Sequence, residues 1–135
     1  MVHCITALLE QNQNPDLDQF WLAYDVLSGK KDSIKQIKEG IKLAIDLQQK
    51  IVQQVIGMIE RKSIIGSAEF RIGNLSTNGN DSVFFTPSGI SKLALFLMEF
   101  CKFKYSGKEK SLLICSENKE DKKTMLIGIS PDDRK

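Results

Sequence analysis

Histidine, tryptophan and arginine are nearly missing from this chain: His3, Trp21 and three arginines, Arg61, Arg71 and Arg134, are all it has in 135 residues. Each scarcity excludes a chemistry. With His3 as the sole imidazole, close to the first residue, Ser-His-Asp and Cys-His arrangements have no base to build on. A solvated residue is the simpler reading of it. The three cysteines, Cys4, Cys101 and Cys115, cannot all pair and show no CxxC spacing. They read as free thiols in a reducing compartment, which places the chain in the cytoplasm. His3 and Cys4 are adjacent and the other cysteines lie far along the chain, so zinc-type ligand pairs are lacking and no metal is expected.

Long apolar runs are absent too. The densest, Leu93 to Met98, falls far short of the ~20 residues a membrane span needs, and the first residues show neither a basic leader nor a cleavage site. Neither secretion nor a membrane is expected. Gly29-Lys30 is no phosphate loop, because Tyr24 stands where the first glycine belongs and Lys31 where Ser or Thr should follow. Asp16 with Asp18 reads as a helix start and Asp132 with Asp133 as a solvated tail, rather than as paired carboxylates. The sequons at Asn74 and Asn80 are chance matches. No cofactor is expected and the chain reads as a non-enzyme; catalysis, if any, would have to do without histidine.

What is present is a heptad pattern. Ile34, Ile37, Ile41, Ala44, Ile51, Val55 and Met58 recur at 3-4 spacing with Gln48 interrupting, so one stripe of a helix over residues 34–62 must be buried. Gly40 and Gly57 each weaken that helix by up to ~1 kcal/mol relative to alanine, so packing has to hold it. Ahead of it, Asn14-Pro15-Asp16 signals a helix start, Phe20, Trp21, Tyr24 and Leu27 follow at helical spacing, and Gly29 stops the run. A shorter helix over about residues 2–13 precedes it. A neighbour over 15–28, about 20 Å long, cannot cover a seam of about 43 Å. The remainder must meet the sheet or a second copy, with Ile41, Gln48, Ile51, Val55 and Met58 as the candidate oligomerisation seam of a homodimer.

After Ser63 the period shortens. Ala68, Phe70 and Ile72 alternate with polar residues, and Asn78-Gly79 followed by Val83, Phe84 and Phe85 predicts a hairpin. Thr86-Pro87 offers a cap and first-turn proline for a helix to about Lys104, and Leu112–Cys115 with Met125–Ile129 predicts a second hairpin. The fold class is therefore α+β: antiparallel N-terminal helices including one long helix, then hairpin, helix and hairpin forming a small antiparallel sheet. One domain over residues 1–135 is expected, with frayed ends at about 1–4 and 131–135. The order of elements resembles small secretion chaperones and other α+β adaptor domains, in architecture alone.

Charge is unevenly spread. Residues 1–29 hold four acids and no Lys or Arg, which leaves +6 on the rest. Lys31, Lys35, Lys38 and Lys42 line one side of the long helix, but Glu39 and Asp46 interrupt them and no exposed aromatics interleave, so a solvated face is the preferred reading. The helix over 87–104 is the better binding element. Ile90, Leu93, Ala94, Leu97, Met98 and Cys101 point one way, whereas Leu95, Phe96 and Phe103 lie round the other side with Lys92. Lys92, Leu95, Phe96 and Phe103 are thus the candidate protein-binding residues. The expected function is a cytoplasmic adaptor, chaperone or inhibitor that binds another protein through apolar helix surfaces. The alternative is a nucleic-acid-associated protein that uses its basic body.

Overall fold

The long seam forms one uninterrupted helix, as its period predicts. In the computed structural model, which describes residues 2–9, 17–29, 33–76, 82–104, 110–118 and 123–131, it is α3 (Ser33–Glu60). Before it come α1 (Val2–Leu9) and α2 (Leu17–Leu27); after it come β1 (Ile64–Gly66), β2 (Phe70–Ser76), a 3-10 turn (Ser82–Phe85), α4 (Pro87–Lys104), β3 (Ser111–Asn118) and β4 (Lys123–Ile129). The class is α+β, as expected. Where one domain was expected, the chain divides into two compact units, Met1–Lys50 and Ile51–Lys135, with α3 running through the boundary.

The first unit is built on a small apolar cluster. Cys4, Leu8 and Val26 form its buried cluster, with Ile5, Ile37 and Leu43 packed against it. The Cys4 thiol donates to the Ile37 carbonyl at 3.4 Å, so α1 lies close on the first half of α3. Gly40 permits that approach. A Cβ there would run into the Cys4 Sγ, would sit 2.9 Å from the Cys4 carbonyl oxygen and would lie 3.0 Å from Leu8 Cγ. Gly40→Ala raises helix propensity by about 1 kcal/mol, but it pushes against backbone that cannot swing aside, and overpacking of this kind costs about 1–3 kcal/mol. A net loss of thermal stability is expected, and a variant melting above the parent would show that α1 does not lie where Cys4 places it. At the end of α2, the Ser28 amide donates to the Tyr24 carbonyl at 2.8 Å and Gly29 takes φ +70°, the left-handed position that closes a helix.

In the second unit α3 closes without a glycine. Lys62 adopts φ 54° while the Ser63 amide donates back to the Met58 carbonyl at 2.9 Å, turning the chain straight into β1. The first hairpin is therefore earlier than expected: β1 pairs antiparallel with β2, Ile65 opposite Ile72. The Ser67 hydroxyl ties the turn by accepting from the Phe70 amide at 3.1 Å. Val83, Phe84 and Phe85 are not the second arm of a hairpin; they form the 3-10 turn, which drops Phe84 fully into the core. Asn78 and Gly79 lie outside the described residues. The far edge of β2 is taken by β3, which runs parallel to it (Gly73 opposite Ile114), while β3 and β4 form the expected antiparallel hairpin (Ile114 opposite Ile127). The four-stranded sheet is thus mixed, in the order β1-β2-β3-β4. A parallel neighbour needs a long crossover, and α4 supplies it.

Thr86 starts α4 as its sequence predicts: its hydroxyl accepts from the Gly89 amide at 3.1 Å and donates to the Val83 carbonyl at 2.7 Å, with Pro87 at the first helical position. One face of α4 (Ile90, Leu93, Ala94, Leu97, Met98, Cys101) is buried, as expected, together with Leu75, Leu112 and Ile114 from the sheet. Ile51, Val55 and Met58 of α3 belong to the same buried set.

Candidate binding surfaces

The groups that could do covalent or acid-base chemistry are not drawn together. His3 is exposed on α1, Cys4 and Cys101 are buried and Cys115 is half-buried. Burial pushes the Cys101 thiol up, against the opposing pull of Arg71 and Lys104, so it is held as a neutral thiol. Among the described residues there is no cluster of His, Cys, Asp and Glu that could hold a metal, and no helix long and apolar enough to cross a membrane. Surfaces remain.

The proposed oligomerisation seam separates into two environments. Ile51, Val55 and Met58 are at most 1% exposed and are consumed by the chain's own core, so their apolar periodicity needs no second copy to explain it. Gln48 is exposed just past the midpoint of α3, and Ile41 is exposed on its first half with Ile34 and Ile45. Lys35, Lys38 and Lys42 are exposed on that same half, with Glu39 and Asp46 between and beyond them. Lys31 lies outside the described residues.

The outward side of α4 is where the sequence places it. Leu95, Phe96 and Phe103 are exposed, Phe103 almost completely at 89%, and Lys92 is half-buried. Phe100 belongs beside them, with the Lys104 ammonium 6.0 Å from its ring centre. The four residues do share one helix, but Lys92 sits about three turns from Phe103. The open face of the sheet is apolar as well: Ile65, Ile72 and Leu113 stand in one cross-strand row, flanked by exposed Phe70 and Leu126.

One surface was missed from sequence. The sequence gives Phe20, Trp21, Tyr24 and Leu27 a helical spacing without saying which way they face; the three rings are about half exposed, and Gln19, Ala23 and Val26 face inward. The rings touch one another: Phe20 meets Trp21 edge-on at 5.5 Å, Trp21 meets Tyr24 edge-on at 5.8 Å, and Phe20 stacks on Tyr24 at 6.5 Å. The spacing of both stripes is helical, so periodicity alone could not choose between them.

The fold is a small α+β one with exposed apolar residues on α2, α4 and the sheet. The chain belongs to the CDC45 family, whose family model matches residues 3–135. It is similar to the cell division control protein 45 homolog of Dictyostelium discoideum, with 36% identity over 138 residues covering 96% of this chain and 21% of that protein. It is also similar to cell division control protein 45 of Saccharomyces cerevisiae, with 24% identity covering 85% of this chain and 17% of that protein. The crystal structure of CDC45 from Entamoeba histolytica shares the fold, with a TM-score of 0.66 and 23% identity over 95% of this chain and 26% of that one. The chain thus spans about a fifth of the length of the curated relatives it matches.

Family membership corrects the functional reading. The expectation of a cytoplasmic adaptor, chaperone or inhibitor is overturned by the family match, which sits better with the nucleic-acid-associated alternative. The cytoplasmic placement falls with it, because CDC45 homologues are nuclear replication factors. Free cysteines could not have told the two apart, since thiols stay reduced in the nucleus as in the cytosol. Of the expected partners, another protein is consistent with homologues that work in a complex with proteins and DNA, whereas a homodimer is unsupported.

Proposed function

We propose that this chain is the part of a CDC45-type replication factor that holds protein partners and DNA and performs no catalysis of its own. The family match over residues 3–135 carries the reading. The exposed outward side of α4, with Leu95, Phe96 and Phe103 as apolar anchors, supports a protein-binding role. The exposed lysines of α3 support a weak, sequence-independent hold on phosphates. Rapid depletion of the protein from dividing cells tests the role: nucleotide incorporation into DNA should stop, and continued synthesis would refute it.

The DNA arm has its own measurement. Fluorescence anisotropy with a labelled duplex should give an affinity that falls with salt, at a log-log slope of roughly −2 to −3 if Lys35, Lys38 and Lys42 each neutralise a phosphate. Reversing all three to glutamate should bring that slope close to zero. A slope unchanged by the triple substitution would place the phosphate contacts elsewhere.

A further inference from the structure

The two edges of the sheet are built differently. At one end β1 is only 3 residues long, too short a row to receive another strand. At the other end β4 pairs with β3 over all 7 of its residues without a bulge, and no strand lies on its far side among the described residues. From Thr124 to Ile129 it carries neither a charge nor a proline, the devices that ordinarily close an edge to further pairing. Its outward N–H and C=O groups therefore form an uncharged, unbroken row.

The packing is unfinished in the same place. Leu112, Ile114 and Ser116 of β3 are at most 2% exposed, whereas Ile129, Ile127 and Met125, their cross-strand neighbours on the face that meets α4, are only half-buried. On the other face Leu126 is exposed, and a Cβ at Gly128 would meet only Leu113 Cδ1, at an ordinary 3.6 Å. Backbone geometry identifies the occupant. A helix spends its N–H and C=O groups on itself, and the phosphate backbone of a nucleic acid offers acceptors without donors; an extended polypeptide alone matches a strand edge group for group. We propose that β4 receives an extended segment of another polypeptide, which adds a strand to the four already present. Apolar residues on one side of that segment complete the cover of Met125, Ile127 and Ile129, and a large side chain on its other side fills the space over Gly128. The inference stands on the sheet alone and is independent of the α4 anchors and the α3 lysines.

The full 135-residue chain, isotopically labelled for NMR, is titrated with a capped, uncharged peptide as long as β4 in which Thr alternates with Val and Phe. Binding should saturate and should slow hydrogen exchange at alternate amides of β4, those that face away from β3. A depsipeptide twin, with ester oxygens in place of the backbone N–H groups, keeps the side chains and loses the donors. It should bind about tenfold or more weakly than the peptide. Leu126→Lys, an exposed change in the middle of the edge, should weaken the peptide severalfold while far-UV circular dichroism stays as in the parent. Equal binding of peptide and depsipeptide would overturn the proposal, as would β4 amides left unprotected by the peptide or a Leu126→Lys chain that binds undiminished. So would protection of those amides in the dilute chain without peptide, because the chain then covers its own edge. Protection that appears only as the chain is concentrated would overturn it too, because a second copy then takes the place.

Discussion

Phe84→Ala is expected to lower the stability of the second unit by about 3–5 kcal/mol, the cost of emptying a fully buried aromatic site. For a unit of this size that corresponds to a midpoint lowered by roughly 15 °C or more in thermal unfolding followed by far-UV circular dichroism. The loss is large because Phe84 is the largest fully buried side chain among the described residues. A domain is stable by only about 5–15 kcal/mol, so the variant should be partly unfolded at physiological temperature. If Phe84 instead stood on the exposed arm of a hairpin, alanine would cost less than about 1 kcal/mol. The experiment therefore decides between the two arrangements by its size alone.

Gly89→Ala tests the same junction from the other side. A Cβ at residue 89 would overlap the Val83 carbonyl oxygen and lie 2.9 Å from the Val83 carbonyl carbon. Both are backbone atoms, and they are pinned, since the Thr86 amide and hydroxyl donate to that same carbonyl at 3.3 Å and 2.7 Å. A single methyl should then cost about 3 kcal/mol or more, at the upper end of overpacking effects, even though alanine is the better helix former. Gly66→Ala is the matched control, because a Cβ there meets nothing within 4 Å. It should stay within about 0.5 kcal/mol of the parent. Equal melting of the two glycine variants would mean that the chain does not run against the first turn of α4 as described.

The candidate surfaces were legible to different degrees. The outward residues of α4 could be listed in advance because Leu95, Phe96 and Phe103 fall off an otherwise complete apolar stripe. The α2 ridge could not, since a helix with two apolar stripes presents the same period whichever one is buried. The proposed oligomerisation seam is ambiguous for a related reason: Ile51, Val55 and Met58 do follow a coiled-coil spacing, but a spacing says only that a stripe is covered, and these three are already buried within the chain itself.

The extent of α3, the start of α4 at Thr86-Pro87 and the β3–β4 hairpin were determined by the sequence itself. Each rests on interactions within a few residues, namely a repeating apolar stripe, a hydroxyl reaching an amide three positions on, and alternation either side of a short loop. The parallel pairing of β2 with β3, the burial of Phe84 in a 3-10 turn and the outward aspect of the α2 aromatics were decided only by the tertiary structure. In each, partners distant in the chain compete for one edge, one cavity or one helix face. Local patterns are equally satisfied by either winner, and it is the free energy of the assembled core that selects between them.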